Sequence, residues 1–333
     1  MHPELFRIPF TTLTVKSYGL MLVIGFLAAV HIVRRLSRNI TPDPQMITNA
    51  SLYSLIAGVV GARLFYVLHH FHDFKDNLAG VFAIWQGGLE LLGGVVGAIA
   101  VIVLYLRYHK LPARQYLDIL VIGLMLALAF GRIGCFLNGC CFGKPADLPW
   151  AVRFPYGSYA YVSQVDPNPV RERLQPQLQL PPDFFDAGFL KPFDKLSADQ
   201  KKMVTKGLYR CLPVHPAQLY SSADAFILTI LLFLFWKRSR NTQQPKAAPK
   251  LFIKPGSTFA LMFILYGFVR FFEEFLRDDN PFEYGWWAIY KGGTISQNIG
   301  IYMLVAGIIM MLIFQKLSLS SDNLPCGPHN TKS

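Results

Sequence analysis

Hydrophobic residues occur along this chain in long blocks, with polar sequence confined to the connections. Seven blocks carry few charges: Ser17 to Leu36, Ile47 to Leu68, Gly87 to Tyr108, Tyr116 to Leu137, His215 to Trp236, Ser257 to Leu276 and Ser296 to Phe314. A helix needs about 20 apolar residues to cross the hydrocarbon core of a bilayer. The pattern therefore predicts an all-α, polytopic membrane protein with seven transmembrane helices. The longest connection, Cys141 to Leu212, is rich in Pro and charge, as in "RERLQPQLQLPPDFF", and reads as a small external subdomain. Within it "SADQKKMVTKGL" sets Ser197 three residues before Gln200, the spacing of a capping box, which predicts a short amphipathic helix ending near Gly207. "RNTQQPKAAPK", Arg240 to Lys250, reads as a flexible linker. The expected organisation is helices one to four over 1–140, the external subdomain over 141–212, helices five to seven over 213–318, and a disordered cytoplasmic tail over 319–333.

Composition agrees, with 53% hydrophobic and only 16% charged residues, where soluble chains average about 25% charged. The first block has no basic leader, is followed by "HIVRRLSR", and closes on no small-residue cleavage site, so it is expected to remain as a helix. The net charge of +12 raises the question of nucleic acid. Its carriers, however, are spread over juxtamembrane loops without a recognition motif or an aromatic-basic platform. Arg34, Arg35 and Arg38; Arg107, Lys110 and Arg114; and Lys237, Arg238, Arg240, Lys246, Lys250 and Lys254 fall in alternate loops. By the positive-inside rule those loops are cytoplasmic, which puts the N-terminus outside and the C-terminus inside. The basic loops then meet anionic membrane lipids, and nucleic acid is not an expected partner.

Ionisable residues inside a membrane are expensive and mark functional sites. Arg63, Arg132, His215, Arg270, Glu273 and Glu274 are the candidates. In "YGFVRFFEEFLR" the residues Tyr266, Arg270, Glu274 and Arg277 follow at four- and three-residue steps and share one helix face. Two readings stand here: a structural Arg270 to Glu274 ion pair, or an anion site shared with Arg132. A guanidinium fork matches phosphate oxygens bidentately and keeps its charge in low dielectric, so a phospholipid phosphodiester is the expected anion. Tyr18, Tyr66, Asn138, Gln218 and Tyr220 add hydroxyl and amide groups. The Gly-rich stretches "AGVVGARLFY" and "QGGLELLGGVVGA" suit close helix packing.

The ordered motifs "YGLM" at Tyr18, "GARLFYVL" at Gly61, "WQGGLELLGG" at Trp85, "GRIGCFLNG" at Gly131, "LPWAVRFP" at Leu148, "HPAQLY" at His215, "YGFVRFFEEFLR" at Tyr266 and "SQNIGIYMLVAGIIMM" at Ser296 resemble the prolipoprotein diacylglyceryl transferases of the bacterial cytoplasmic (inner) membrane. The resemblance implies transfer of the diacylglyceryl group of phosphatidylglycerol to the lipobox cysteine of a preprolipoprotein, with release of glycerol phosphate and without a cofactor or metal. It implies Arg132 and Arg270 as catalytic and Glu274 as the group that orients Arg270. Tyr18, Tyr266, Asn138 and Gly143 would shape the lipid cavity, Gly93 and Gly94 would form the family's glycine turn, and Arg63, His215 and Gln218 would complete the binding residues. The chain departs from the family pattern at Leu92, where many members carry histidine before the paired glycines, and at Cys135 and Cys140. With no histidine base there, the substrate thiolate forms unaided in the arginines' field or with Glu90, Tyr18 or Tyr66. Two other readings are a non-catalytic homologue that binds phospholipid or lipoprotein precursors, and a membrane thiol or metal protein using Cys135, Cys140 and Cys141. Against the second, the cysteines lack a CxxC pair and no second cluster follows.

Overall fold

The computed structural model describes residues 4–7, 14–41, 43–75, 78–83, 87–88, 90–242 and 254–316. The tail over 319–333 and most of the linker after Arg240 lie outside the described residues. An antiparallel pair, β1 (Glu4–Arg7) and β2 (Thr14–Lys16), leads into α1 (Ser17–Ser37), followed by α2 (Gln45–His69), α3 (Leu91–Tyr108) and α4 (Ala113–Asn138). The connection after α4 holds α5 (Tyr159–Val165), the two-residue strands β3 (Phe185–Asp186) and β4 (Phe189–Leu190), and α6 (Ala198–Thr205). Then come α7 (Ala217–Thr242), α8 (Ser257–Glu273) and α9 (Ile295–Lys316).

Each hydrophobic block coincides with a helix along most of its length. Five of these helices, Ser17–Ser37, Gln45–His69, Ala113–Asn138, Ala217–Arg240 and Ile295–Lys316, are long and apolar enough to cross a membrane. α3 and α8 are shorter, at 18 and 17 residues. The block that opens α3 starts late because Gly87 and Gly88 hold left-handed φ angles of 91° and 71°. At the other end of α8, Glu274–Leu276 tighten into a 3-10 turn.

The bundle core is apolar and continuous: Val33 of α1, Ile47 of α2, Tyr116, Ile119, Ile122 and Met125 of α4, Leu228 and Leu232 of α7, and Met262 of α8 are all buried. Outward-facing side chains on these helices and on α3 are also apolar, among them Leu27, Val60, Leu104 and Ile230. That inversion suits a lipid environment, in which helices satisfy their own backbone groups. Small residues set the closest approaches: a Cβ on Gly267 of α8 would lie 2.6 Å from the Gly300 carbonyl oxygen of α9. A long-range cap joins α4 to α8, where the Asp118 carboxylate accepts the backbone N–H groups of Gly256 and Phe259 at 2.8 Å each. These are otherwise unpaired donors of a helix N-terminus, where negative charge is favoured.

The segment between α4 and α7 has small cores of its own, one around Phe142, Phe154, Tyr161, Val165, Leu178 and Val214 and one around Phe184, Leu196 and Val204. The expected capping box is present: the Gln200 N–H donates to Ser197 Oγ at 3.2 Å and the Ser197 N–H donates to Gln200 Oε1 at 2.9 Å.

A polar centre where α4 and α8 end

The candidate site begins with the way α4 stops. Gly139 takes the left-handed conformation, φ 78° and ψ 13°, its N–H donates to the Phe136 carbonyl, and the Cys140 N–H donates to the Cys135 carbonyl, both at 3.2 Å. This is a Schellman closure, which needs a residue without a Cβ penalty at the left-handed position and brings the residues at its two ends into contact. Cys140 thus returns onto Cys135, and its thiol donates toward the Cys135 carbonyl at 3.7 Å. Cys141 follows with a left-handed φ of 60°, unusual for a residue with a side chain. The sulfurs of Cys135, Cys140 and Cys141 all lie within 4.8 Å of one another. Hydrogen bonds from the other two thiols, then the charges of Arg277 and Arg132, lower the pKa of Cys141 below the usual thiol range.

One turn back on α4, Arg132 stands close enough to Tyr266, Arg277, Cys141 and Cys135 for their charges to act on it. Tyr18 of α1 joins from the other side, packed on Gly134 and within range of Arg132 and the three thiols. Among the described residues, Arg132 has no carboxylate within ion-pair distance.

Arg270, 7% exposed, differs in this respect. Its Nη2 lies 2.6 Å from Glu274 Oε2 and donates to Ser296 Oγ at 2.8 Å, and its Nη1 lies 3.7 Å from Glu273 Oε2. The ion pair that the shared helix face suggested for Arg270 and Glu274 is therefore present, whereas Arg132 has none among the described residues. Glu274, 2% exposed, also meets Arg277 Nε at 3.8 Å and accepts from Asn280 Nδ2 at 2.6 Å. Arg277 donates from Nε and Nη2 to Asp279, at 2.9 and 2.6 Å. Arg277, Asp279, Asn280 and Ser296 were not among the sequence candidates. Only Arg277 showed a signal, through its place on the helix face of Arg270.

Gly143 ties three segments together at this end. Its N–H donates to the His215 carbonyl at 3.1 Å, the Lys144 N–H donates to the Leu276 carbonyl at 2.8 Å, and Gly143 bridges Arg277 in antiparallel fashion. A Cβ here would meet His215 Cβ and O at 2.6 Å and the Leu276 carbonyl oxygen at 2.8 Å. Gly143→Ala is expected to cost roughly 1–3 kcal/mol, the range for overpacked positions, and to lower the thermal midpoint of the detergent-solubilised protein. An unchanged midpoint would mean that the junction opens freely. His215 contributes mainly its backbone here, and its Nδ1 is 3.5 Å from the Tyr220 hydroxyl. Gln218 donates to the Cys140 carbonyl at 2.7 Å and keeps a buried Oε1 without a partner.

The structure does not bring Arg63 into this cluster. Its guanidinium donates to four backbone carbonyls, from Nη2 to Gly80 at 2.6 Å, from Nε to Val81 at 2.9 Å, and from Nη1 to Gly87 at 2.7 Å and Gly88 at 2.9 Å. It also lies 5.4 Å from the Tyr66 ring and 5.3 Å from that of Phe74. Glu90 pairs with His69 at 2.8 Å. Gly93 packs on Gly61, where a Cβ would sit 2.3 Å from the Gly61 carbonyl oxygen, and a Cβ on Gly94 would sit 3.1 Å from that of Gly58. Both are close-packing glycines of the α2 and α3 pair, whereas Leu92 beside them is 64% exposed.

A cavity of about 890 Å³ opens next to the centre, between the end of α4 and the segment around α5. Asn138, Tyr156, Ser158, Asp166 and Asp279 are among its lining residues. The arginines do not line it. Asn138 and Asp279 form the boundary, since Asn138 also bonds to the Cys140 thiol and Asp279 holds Arg277.

Fold and site define a mostly helical protein with several membrane-length apolar helices and, at one end, a cluster of guanidinium, carboxylate, hydroxyl and thiol groups in which Arg270, Glu274 and Arg277 are buried. Residues 3–313 match the family model described as prolipoprotein diacylglyceryl transferase, and the chain belongs to that family. The phosphatidylglycerol–prolipoprotein diacylglyceryl transferase of Clostridium tetani is 27% identical over 317 residues, covering 94% of this chain and 98% of the relative. The Burkholderia orbicola protein of the same description is 30% identical over 309 residues, 90% of each chain. That of Rhodospirillum rubrum is 26% identical over 308 residues, 91% of this chain and 89% of the relative. The likeness seen in the ordered motifs therefore extends over nearly the whole chain.

Proposed function

We propose that this chain is the transferase that moves the diacylglyceryl group of phosphatidylglycerol to the lipobox cysteine thiol of preprolipoproteins, forming a thioether and releasing glycerol phosphate. The observation that carries the site assignment is Arg132, a half-buried guanidinium without a carboxylate partner among the described residues, beside Tyr266 and the Arg270, Glu274 and Arg277 network. The substrate thiol loses its proton, the thiolate attacks the glycerol carbon bonded to the phosphate oxygen, and that carbon–oxygen bond breaks with its electron pair on the phosphate. Charge grows on the phosphate as the bond lengthens. A cation fixed there in a water-poor site favours the transition state over the ground state. Arg132 supplies that cation, and Arg270, held by Glu274 and Ser296, flanks it. Tyr18, Tyr266, Asn138 and Gln218 bound the headgroup. Gly143 and His215 keep the walls in register. Arg63, Gly93 and Gly94 act one step away, by fixing the loop and the α2 and α3 packing on that flank.

In this reading all seven long helices cross the bacterial cytoplasmic membrane, α3 and α8 included, with the N-terminus outside and the C-terminus inside. The positions of Arg34, Arg35 and Arg38, of Arg107, Lys110 and Arg114, and of Lys237, Arg238 and Arg240 support it, because these residues lie at helix ends opposite Arg132. Residues 1–140 and 213–318 then form the membrane part and 141–212 the external subdomain.

The test is incubation of the purified chain with vesicles of phosphatidylglycerol and a lipobox peptide. The expected result is a peptide mass gain of one diacylglyceryl group together with glycerol phosphate release, neither occurring when the peptide's cysteine is serine. No mass gain under conditions in which another family member is active would overturn the assignment.

A further inference from the structure

The three cysteines at the end of α4 have no part in the scheme above, yet the fold gathers them beside Arg132. Gly139 turns the chain so that Cys140 meets Cys135, and the left-handed backbone at Cys141 adds the third sulfur, all within 4.8 Å of one another. Strained backbone of this kind persists only where the surroundings impose it, and it clusters at ligand clamps. Three thiolates at zinc–sulfur distances of about 2.3 Å have their sulfurs about 3.8 Å apart, so small side-chain rotations convert this triangle into a metal face. Among the described residues, no fourth histidine, cysteine or acidic ligand belongs to the group. Catalytic zinc sites are built in this way, with three protein ligands and one open position.

We infer that Cys135, Cys140 and Cys141 hold a zinc ion whose open fourth position takes the substrate's lipobox thiol as a thiolate. The inference rests on the transferase reading and answers the question that Leu92 poses. A thiol that coordinates zinc gives up its proton outright, here to water, so no histidine base is required. The bound sulfur then uses a lone pair to form the carbon–sulfur bond, while the carbon–oxygen bond to phosphate breaks and its electron pair leaves with glycerol phosphate. Zinc keeps its oxidation state throughout. The product sulfur is a thioether, which bears no charge and holds zinc weakly, so it departs and the position reopens. Three thiolates and a substrate thiolate around one zinc carry two net negative charges, and Arg132 and Arg277 stand within electrostatic reach of the cluster to offset them.

The experiment uses the full chain purified from zinc-supplied cells. Elemental analysis is expected to find about one zinc per chain, falling to background in Cys140→Ser and in Cys141→Ser while the helical circular dichroism is retained. Cobalt exchanged for zinc is expected to give a thiolate charge-transfer band that shifts on addition of a lipobox peptide and not of its serine analogue. Chelation is expected to lower transfer by about tenfold or more, with recovery on adding zinc back. If a metal-free chain transfers at full rate, the zinc inference fails and the transferase reading stands. A disulfide among the three cysteines in the active chain, or a cobalt spectrum blind to the peptide thiol, also overturns it. If the cobalt spectrum responds to the peptide thiol but no transfer occurs under any condition, the transferase reading falls and the thiol-binding metal site survives.

Discussion

Arg132→Lys is expected to lower the transfer rate by about 10²- to 10³-fold, the loss seen when one preorganised donor to a developing anion is removed. Lysine keeps a positive charge, so the expectation depends on geometry and desolvation. An ammonium presents one point of charge where a guanidinium presents a planar fork that grips two phosphate oxygens. It also sheds its proton more readily in a poorly hydrated site, especially with Arg277 and Arg270 nearby to disfavour another cation. Arg132→Ala removes the cation altogether and is expected to lose more.

The split between kinetic constants carries the argument further. The phosphodiester already holds one negative charge before reaction and gains another as the carbon–oxygen bond breaks. A residue that serves mainly the second charge should affect kcat more than KM. Because Arg132 has no carboxylate partner among the described residues, its loss leaves no orphaned acid behind, and the thermal midpoint should change little. Retention of more than half of the wild-type rate in Arg132→Lys would remove Arg132 from the centre of the mechanism.

Much of this arrangement was legible in local sequence. The seven apolar blocks coincide with helices, five of them long enough to cross a membrane, because hydrophobicity is a local property. The helix face of Tyr266, Arg270 and Glu274 follows from helical spacing alone, and the Ser197 capping box was readable for the same reason. What could not be read depends on contacts between distant segments. Arg63 satisfied the rule that a charge in an apolar block marks a ligand site, yet four loop carbonyls take its donors. No pattern in "GARLFYVL" announces them. Arg277 looked like the end of a helix face, but its role comes from Asp279 and from the segment between α4 and α7. There the Arg171 guanidinium donates to the Arg277 and Asn280 carbonyls at 2.8 and 2.9 Å, and Arg173 pairs with Asp278 at 2.7 Å. More than a hundred residues separate these partners, so the grip of the α4–α7 segment on the loop after α8 was invisible before the fold was known.

That grip makes Glu274 the second position where a large effect is expected. It stands between two guanidinium groups, 2.6 Å from Arg270 and 3.8 Å from Arg277, and receives a hydrogen bond from Asn280. Glu274→Gln preserves shape and the Asn280 contact while removing the charge. Breaking a buried ion pair from one side costs about 3–5 kcal/mol, because the partner charge is left uncompensated, and here two cations share the loss. The variant is expected to show a clearly lowered thermal midpoint and a transfer rate reduced through misplacement of Arg270. A purely structural pair would predict the same two results, so a third measurement separates the cases. If Arg270 belongs to the phosphate site, an anionic headgroup restores the missing negative charge when it binds. Ligand that favours the native state stabilises it by mass action. Phosphatidylglycerol should therefore raise the midpoint of Glu274→Gln by more than that of the wild type, and a zwitterionic lipid of the same chain length should not. Equal shifts for the two proteins would place Arg270 outside the headgroup's reach and leave Arg132 as the phosphate-binding guanidinium.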